Sequence, residues 1–133
     1  MSVAPPPTPP PPTPTPPPPP SGLENIIMLG LDPNEAGQTN TITVTDATPG
    51  STVKFRYSTK TGSTVISGGV CDGQTLDMGS AKNLQTVIAD GMGTAIMSIG
   101  VPSSFSGKTV YLQAFSETAT TCGLSNLLTQ TIQ

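Results

Sequence analysis

Thr41-Ile42-Thr43-Val44-Thr45 alternates polar and apolar side chains without a break, and Val53-Lys54-Phe55-Arg56-Tyr57 does the same soon after. A period of two belongs to a pleated strand with one dry face and one wet face. In the second stretch Val53, Phe55 and Tyr57 share one face, while Lys54 and Arg56 share the other. Ala95, Met97, Ile99 and Val101 make another inward set, as do Val110, Leu112 and Ala114. β-branched Thr, Val and Ile suit such pleats. No segment of ten or more residues carries a 3.6 period.

Turn signals punctuate these runs: Asp32-Pro33-Asn34, Thr48-Pro49-Gly50, Ser67-Gly68-Gly69, Asp90-Gly91 and Ser106-Gly107. The pattern predicts strands near 24–31, 39–46, 51–59, 63–70, 83–90, 94–101, 108–116 and 124–132. Asp90-Gly91-Met92-Gly93, between two alternating runs, is the best candidate for a hairpin turn. Seven or eight short strands in residues 23–133 predict a single immunoglobulin-like antiparallel β-sandwich. Residues 1–22 form a separate Pro/Thr-rich arm.

The arm centres on residues 5–20, PPPTPPPPTPTPPPPP, interrupted only by threonine. Each proline fixes φ and removes a backbone donor. The run is therefore expected to be a polyproline II rod, whose sixteen residues span on the order of 50 Å. Such a rod suits a protein that stands off a surface or lays an arm along one. Pro5, Pro9, Pro12, Pro16 and Pro20 are its expected assembly contacts. Recognition of its PxxP stretches by an SH3-like groove ranks last, because no Arg or Lys lies nearby to orient the docking. Thr8, Thr13 and Thr15 read as spacers in a stalk.

Charged residues make up only 10% of the chain, so Thr, Ser, Asn, Gln and Gly must cover its surface. The net charge is −3, and the five basic residues, Lys54, Arg56, Lys60, Lys82 and Lys108, form no run. Nucleic-acid binding needs a basic footprint and is not expected. Nor is membrane insertion, since the longest apolar run, Ile26-Ile27-Met28-Leu29, is far too short to span. Proline from Pro5 onward leaves no apolar h-region, so the N-terminus does not read as a secretory signal. Either a signal was removed and Met1 added for expression, or the protein reaches its destination without one, as a virion protein released by lysis does.

Cys71 and Cys122 read either as two buried thiols or as one disulfide; the disulfide is the expectation. It would close a loop of about 50 residues and stabilise by about 4 kcal/mol. Zinc is not expected, because there is no histidine and two thiolates do not complete a tetrahedral site.

The stretches Ala36-Gly37-Gln38-Thr39-Asn40-Thr41-Ile42-Thr43-Val44 and Asp46-Ala47-Thr48-Pro49-Gly50-Ser51-Thr52-Val53 resemble the opening of small β-sandwich modules in bacterial surface and secreted proteins, of planctomycete and myxobacterial type. Ala89-Asp90-Gly91-Met92-Gly93-Thr94-Ala95, Ser106-Gly107-Lys108-Thr109-Val110-Tyr111-Leu112-Gln113-Ala114 and Cys122-Gly123-Leu124-Ser125-Asn126 resemble the same modules. The likeness covers most of residues 36–132. It implies a non-enzymatic spacer or adhesion unit and carries over no catalytic residue.

The chemistry-bearing side chains point the same way. Without histidine, Ser-His-Asp and Cys-His arrangements are excluded. Asp72, Asp77 and Asp90 read as turn aspartates that bond nearby amides rather than as a glycosidase pair. Asp72–Asp77 lacks the acidic alternation and closing Glu of an EF-hand, and Gly68-Gly69 and Gly91-Met92-Gly93 match no phosphate loop. No cofactor is expected.

Alternation in the strand at 108–116 turns Val110, Leu112 and Ala114 inward and sends Tyr111, Gln113 and Phe115 to the opposite face. Tyr111 and Phe115 are expected to form an exposed strip that meets a neighbour. The combined expectation is a non-enzymatic structural protein, a bacteriophage decoration or fibre-like protein. Its arm would dock on capsid or sibling subunits of the same particle, with homo-oligomers as an option, and its sandwich would project from the virion. The alternative is a secreted, extracellular adhesion or filament module on a proline stalk, meeting a cell-surface glycan or receptor.

Overall fold

A computed structural model describes Pro6 and residues 23–133. The expected rod and its contacts Pro5, Pro9, Pro12, Pro16 and Pro20 lie outside the described residues. The described chain is all-β. Its ten strands are β1 (Leu23–Met28), β2 (Thr39–Thr45), β3 (Thr52–Ser58), β4 (Thr64–Val65), β5 (Thr75–Leu76), β6 (Lys82–Ile88), β7 (Ala95–Gly100), β8 (Thr109–Glu117), β9 (Cys122–Ser125) and β10 (Leu128–Thr131). One 3-10 turn, Ser103–Phe105, precedes β8.

Eight strands form one curled sheet in the order β6-β3-β8-β9-β1-β2-β7, with β10 continuing β9 alongside β8. β4 and β5 form a separate two-stranded sheet. The sheet is mixed rather than wholly antiparallel, because β1 runs parallel to β9, Leu23 opposite Cys122 and Ile26 opposite Ser125. β1 then changes partner: Ile27 and Met28 pair antiparallel with Thr45 and Val44 of β2. At the changeover Asn126 stands in for a strand. Its Oδ1 accepts from Met28 N at 2.8 Å, and its Nδ2 donates to Met28 O at 3.2 Å. Both backbone groups of Met28 are thus satisfied where the ladder breaks. The same irregularity splits the expected strand at 124–132 into β9 and β10.

The two ends of the sheet, β6 and β7, meet across Asp90-Gly91-Met92-Gly93, which nearly closes a barrel. The expected hairpin is therefore not one. β6 pairs with β3 and β7 with β2, so the turn joins two edges instead of two ladder partners. Asp90 still supplies turn chemistry, its Oδ1 accepting from Met92 N at 2.8 Å and Thr94 N at 2.9 Å. Gly93 takes φ 77°, and a Cβ there would collide with the Ala47 carbonyl. Lower down, Gln85 Nε2 donates to Ser98 O at 2.8 Å and bridges the two edges by a side chain.

The alternation read from the sequence fills the barrel. Ile26, Met28, Ile42, Val44, Val53, Phe55, Ala95, Met97, Val110, Leu112 and Ala114 are all buried in one cluster. At one end Asn40, fully buried, satisfies the 33–38 loop. Its Oδ1 accepts from Glu35 N at 3.1 Å, and its Nδ2 donates to Glu35 O at 2.9 Å and Gln38 O at 3.1 Å.

A second, smaller core lies outside the barrel. Between β3 and β6 the chain makes an excursion, residues 59–81, that folds over the outer face of β8. The expected strand at 63–70 shrinks there to β4, and β5 is added. Ile66, Cys71, Leu76 and Met78 of the excursion pack on Phe115 and Cys122. The Cys71–Cys122 disulfide staples it to β9, with Cα atoms 5.1 Å apart and a sequence separation of 51. Polar ties assist: Gln113 Oε1 accepts from Asp77 N at 2.8 Å, and Ser58 Oγ donates to Gly79 O.

The disulfide gives the first testable expectation. The native protein should weigh two hydrogens less than its reduced form and offer no alkylatable thiol. Cys71→Ser with Cys122→Ser should lower unfolding free energy by about 4 kcal/mol. The loss should appear first as fast amide exchange in residues 63–79, because the barrel core does not contain either sulfur. Two alkylatable thiols in the native protein would contradict the pairing.

Candidate functional site

β3 and β8 position a cleft that holds charges of both signs. On β3, Lys54 and Arg56 point away from the barrel core, as their alternation with Val53, Phe55 and Tyr57 requires. Lys54 sits opposite Phe115, and Arg56 opposite Gln113, on β8. Both cations flank the Phe115 ring, with Lys54 Nζ 5.7 Å and Arg56 Cζ 4.9 Å from its centroid. Glu117, two residues along β8, pairs with Lys54 Nζ at 3.6 Å.

The excursion roofs this face without closing it. Thr64, Val65, Ile66, Ser67, Gly68 and Gly69 form one wall of a cleft of about 410 Å³, with Lys54, Arg56, Asn83 and Glu117 across it. Gly69 has φ 72° and lies so close to the Glu117 carboxylate that a Cβ would stand 2.8 Å from Oε2. The positive φ favours glycine there, and an added Cβ would push the Glu117 carboxylate aside. Arg56 spends one donor, Nη1 to Phe55 O at 3.3 Å. Partial burial lowers its pKa, an effect that the nearby Glu117 charge opposes. Glu117 Oε1 is buried and accepts no hydrogen bond, since 3.6 Å to Lys54 is ion-pair range only.

A second, apolar cleft of about 260 Å³ lies where β6 and β7 part. It is lined by Leu84, Ile99, Tyr57, Phe105, Leu112 and Ile42 among others. It is an unfilled end of the barrel core.

The expected site residues fare differently. Cys71 and Cys122 come together as the disulfide. Tyr111 and Phe115 do lie on the face opposite Val110, Leu112 and Ala114, as alternation placed them. That face is not free, however. Phe115 is 1% exposed within the second core, Gln113 is buried, and Tyr111 is half-buried beside them. The expected exposed strip does not form, because an excursion with no long strand of its own covers it. Two of the three turn aspartates bond local amides: Asp72 Oδ1 accepts from Gly68 N at 2.6 Å, and Asp90 behaves as described above, whereas Asp77 Oδ2 accepts only from the distant Gln113 Nε2 at 3.5 Å. No group of three or more His, Cys, Asp or Glu that could hold a metal occurs among the described residues. No helix among them is long and apolar enough to cross a membrane.

Sequence reasoning missed the apolar face that is exposed. The outer side of β1, β2 and β7 carries Leu29, Thr43 and Ile96 in one row across the strands, and Ile27 beside Thr45 in the next. Ile27, Leu29 and Ile96 are 44, 49 and 56% exposed. The signal lay in Ile26-Ile27-Met28-Leu29, where an apolar residue stands at every position of a strand with one buried face. No protein-family model, curated protein or solved structure matches this chain.

Two measurements check the site. Phe115→Ala should cost about 3–5 kcal/mol in denaturant unfolding, the range for emptying an aromatic core position; a change under about 1 kcal/mol would return Phe115 to the surface. Asp90 is fully exposed, and its pKa is lowered from 3.8 by the Thr94 and Met92 amides, with burial opposing weakly. A carboxylate lowered by folding stabilises above its unfolded pKa and ceases to do so as pH falls through the folded value. Amide exchange at Met92 and Thr94 should therefore be slow at neutral pH and speed up only below about pH 4, relative to the same amides in Asp90→Ala. Acid-insensitive protection at both amides would contradict the bonds.

Proposed function

We propose that this chain is a non-enzymatic assembly protein, a decoration or fibre-like component of a bacteriophage particle. The observation that carries this reading is an uncharged face on which Ile27, Leu29 and Ile96 are exposed beside half-buried Thr43 and Thr45. The proline arm runs in sequence directly into β1 at Leu23, and β1 leads to this face. Arm and face then act as one attachment surface on capsid or sibling subunits, including further copies of the chain. An extended rod loses little entropy on docking, and an apolar row gives it a fixed seat. The barrel-like sheet is read as an immunoglobulin-like sandwich, with β1-β2-β7 as one layer and β6-β3-β8-β9 as the other. The low-charge surface rich in Thr and Ser fits a particle exterior.

The disulfide favours a second reading, a secreted adhesion or filament module, since such bonds persist in oxidising surroundings. Cofractionation separates the two: the chain travels with viral particles in the first and with the cell surface in the second.

Deleting residues 5–20, or substituting Leu29→Lys with Ile96→Lys, should leave a folded domain with unchanged circular dichroism. Each should lower incorporation into the source particle, or self-association in sedimentation, by about tenfold or more. Full incorporation of both variants would place attachment elsewhere and overturn the reading.

A further inference from the structure

The charged cleft lies on the other side of the barrel core from the Leu29–Ile96 row, so it is free when that row is docked. Its size falls within the range of small-molecule sites. Its polar groups are arranged unequally. Two cations, Lys54 and Arg56, face one carboxylate, Glu117, which leaves one positive charge unmatched. Arg56 uses one of its five N–H donors. Held over the Phe115 ring, its guanidinium plane is steadied without those donors being spent. A planar carboxylate takes two parallel bonds from such a fork. Glu117 Oε1 is buried beside Gly69 and Lys54, out of a ligand's reach, so Glu117 serves the cleft by its charge. Asn83 and Ser67 line the same space, and neither side chain makes a hydrogen bond within the described chain.

We propose that this cleft binds a carboxylated saccharide, a uronic-acid residue of a surface glycan. The carboxylate bonds to Arg56, with Lys54 beside it. Ring hydroxyls exchange bonds with Asn83 and Ser67. A sugar fits better than an acidic peptide, because a single carboxylate matches the single unmatched charge and the other partners ask for hydroxyls. Further carboxylates of an acidic peptide would face Glu117.

The test uses the full chain and isotope-labelled protein. A galacturonic-acid trisaccharide, its neutral galactose counterpart and a hexaglutamate peptide are titrated separately while amide shifts are followed. The uronate probe should shift Lys54, Arg56, Ser67, Gly69, Asn83 and Glu117, and the neutral sugar should bind about tenfold or more weakly. Arg56→Gln should abolish the preference for the acid, and Asn83→Ala should weaken both sugars alike. Shift mapping on the unsubstituted chain decides the case even if Arg56→Gln unfolds. No saturable shifts with the uronate, shifts confined to other surfaces, equal binding of the neutral sugar, or stronger binding of the peptide would each overturn the proposal.

Discussion

β8 is buried on both of its faces, and the rest of the structure depends on how that burial is met. Val110, Leu112 and Ala114 enter the barrel core, while Gln113 and Phe115 enter a second core outside it. A strand with polar and aromatic residues on its outer side cannot simply be roofed with apolar chain. Gln113 would lose its water partners at a cost of about 1–3 kcal/mol if it were left unbonded. Here the excursion offers Asp77 N to Gln113 Oε1, and β9 offers Ser125 O to Gln113 Nε2 at 2.9 Å. The apolar part of the same roof packs on Phe115. The excursion contains only four strand residues, so its own ladder contributes little. The disulfide to β9 holds it in place.

The arrangement explains why the charged cleft exists. The roof covers Phe115 but stops short of β6, so Lys54 and Arg56 emerge at its margin instead of in open water. Phe115 is therefore both a core residue and the floor of the cleft. Glu117 closes the end because Gly69 allows the wall to reach it. On the opposite side β1, β2 and β7 have no such roof, and Leu29 and Ile96 stay exposed. One side of the barrel thus carries a polar cleft and the other an open apolar row.

The strands that alternate cleanly were legible, and the inward sets at Val53, Phe55, Ala95, Met97, Val110 and Leu112 hold as read. What escaped was long-range. The parallel pairing of β1 with β9 joins residues about 100 apart and leaves no local pattern. The Asp90 turn has the residues of a hairpin, yet tight-turn chemistry does not say whether the flanking strands share a ladder. Tyr111 and Phe115 were placed on the correct face but not under their cover, since two-residue strands such as β4 and β5 are too short to carry a period. The cysteine pair was the one sequence clue that something crosses to β9 from the 59–81 region. Lys54 and Arg56 were read as outward, while the cleft around them depends on the same hidden roof.

The central claim is that Phe115 lies beneath the excursion in a core distinct from the barrel. A carbon-edited nuclear Overhauser spectrum of the oxidised full chain tests it most directly. The Phe115 ring should show cross-peaks to the methyl groups of Ile66, Leu76 and Met78, and Phe55 should contact only the barrel set, such as Val44 and Met97. A Phe115 ring in contact with none of the excursion methyls would contradict it.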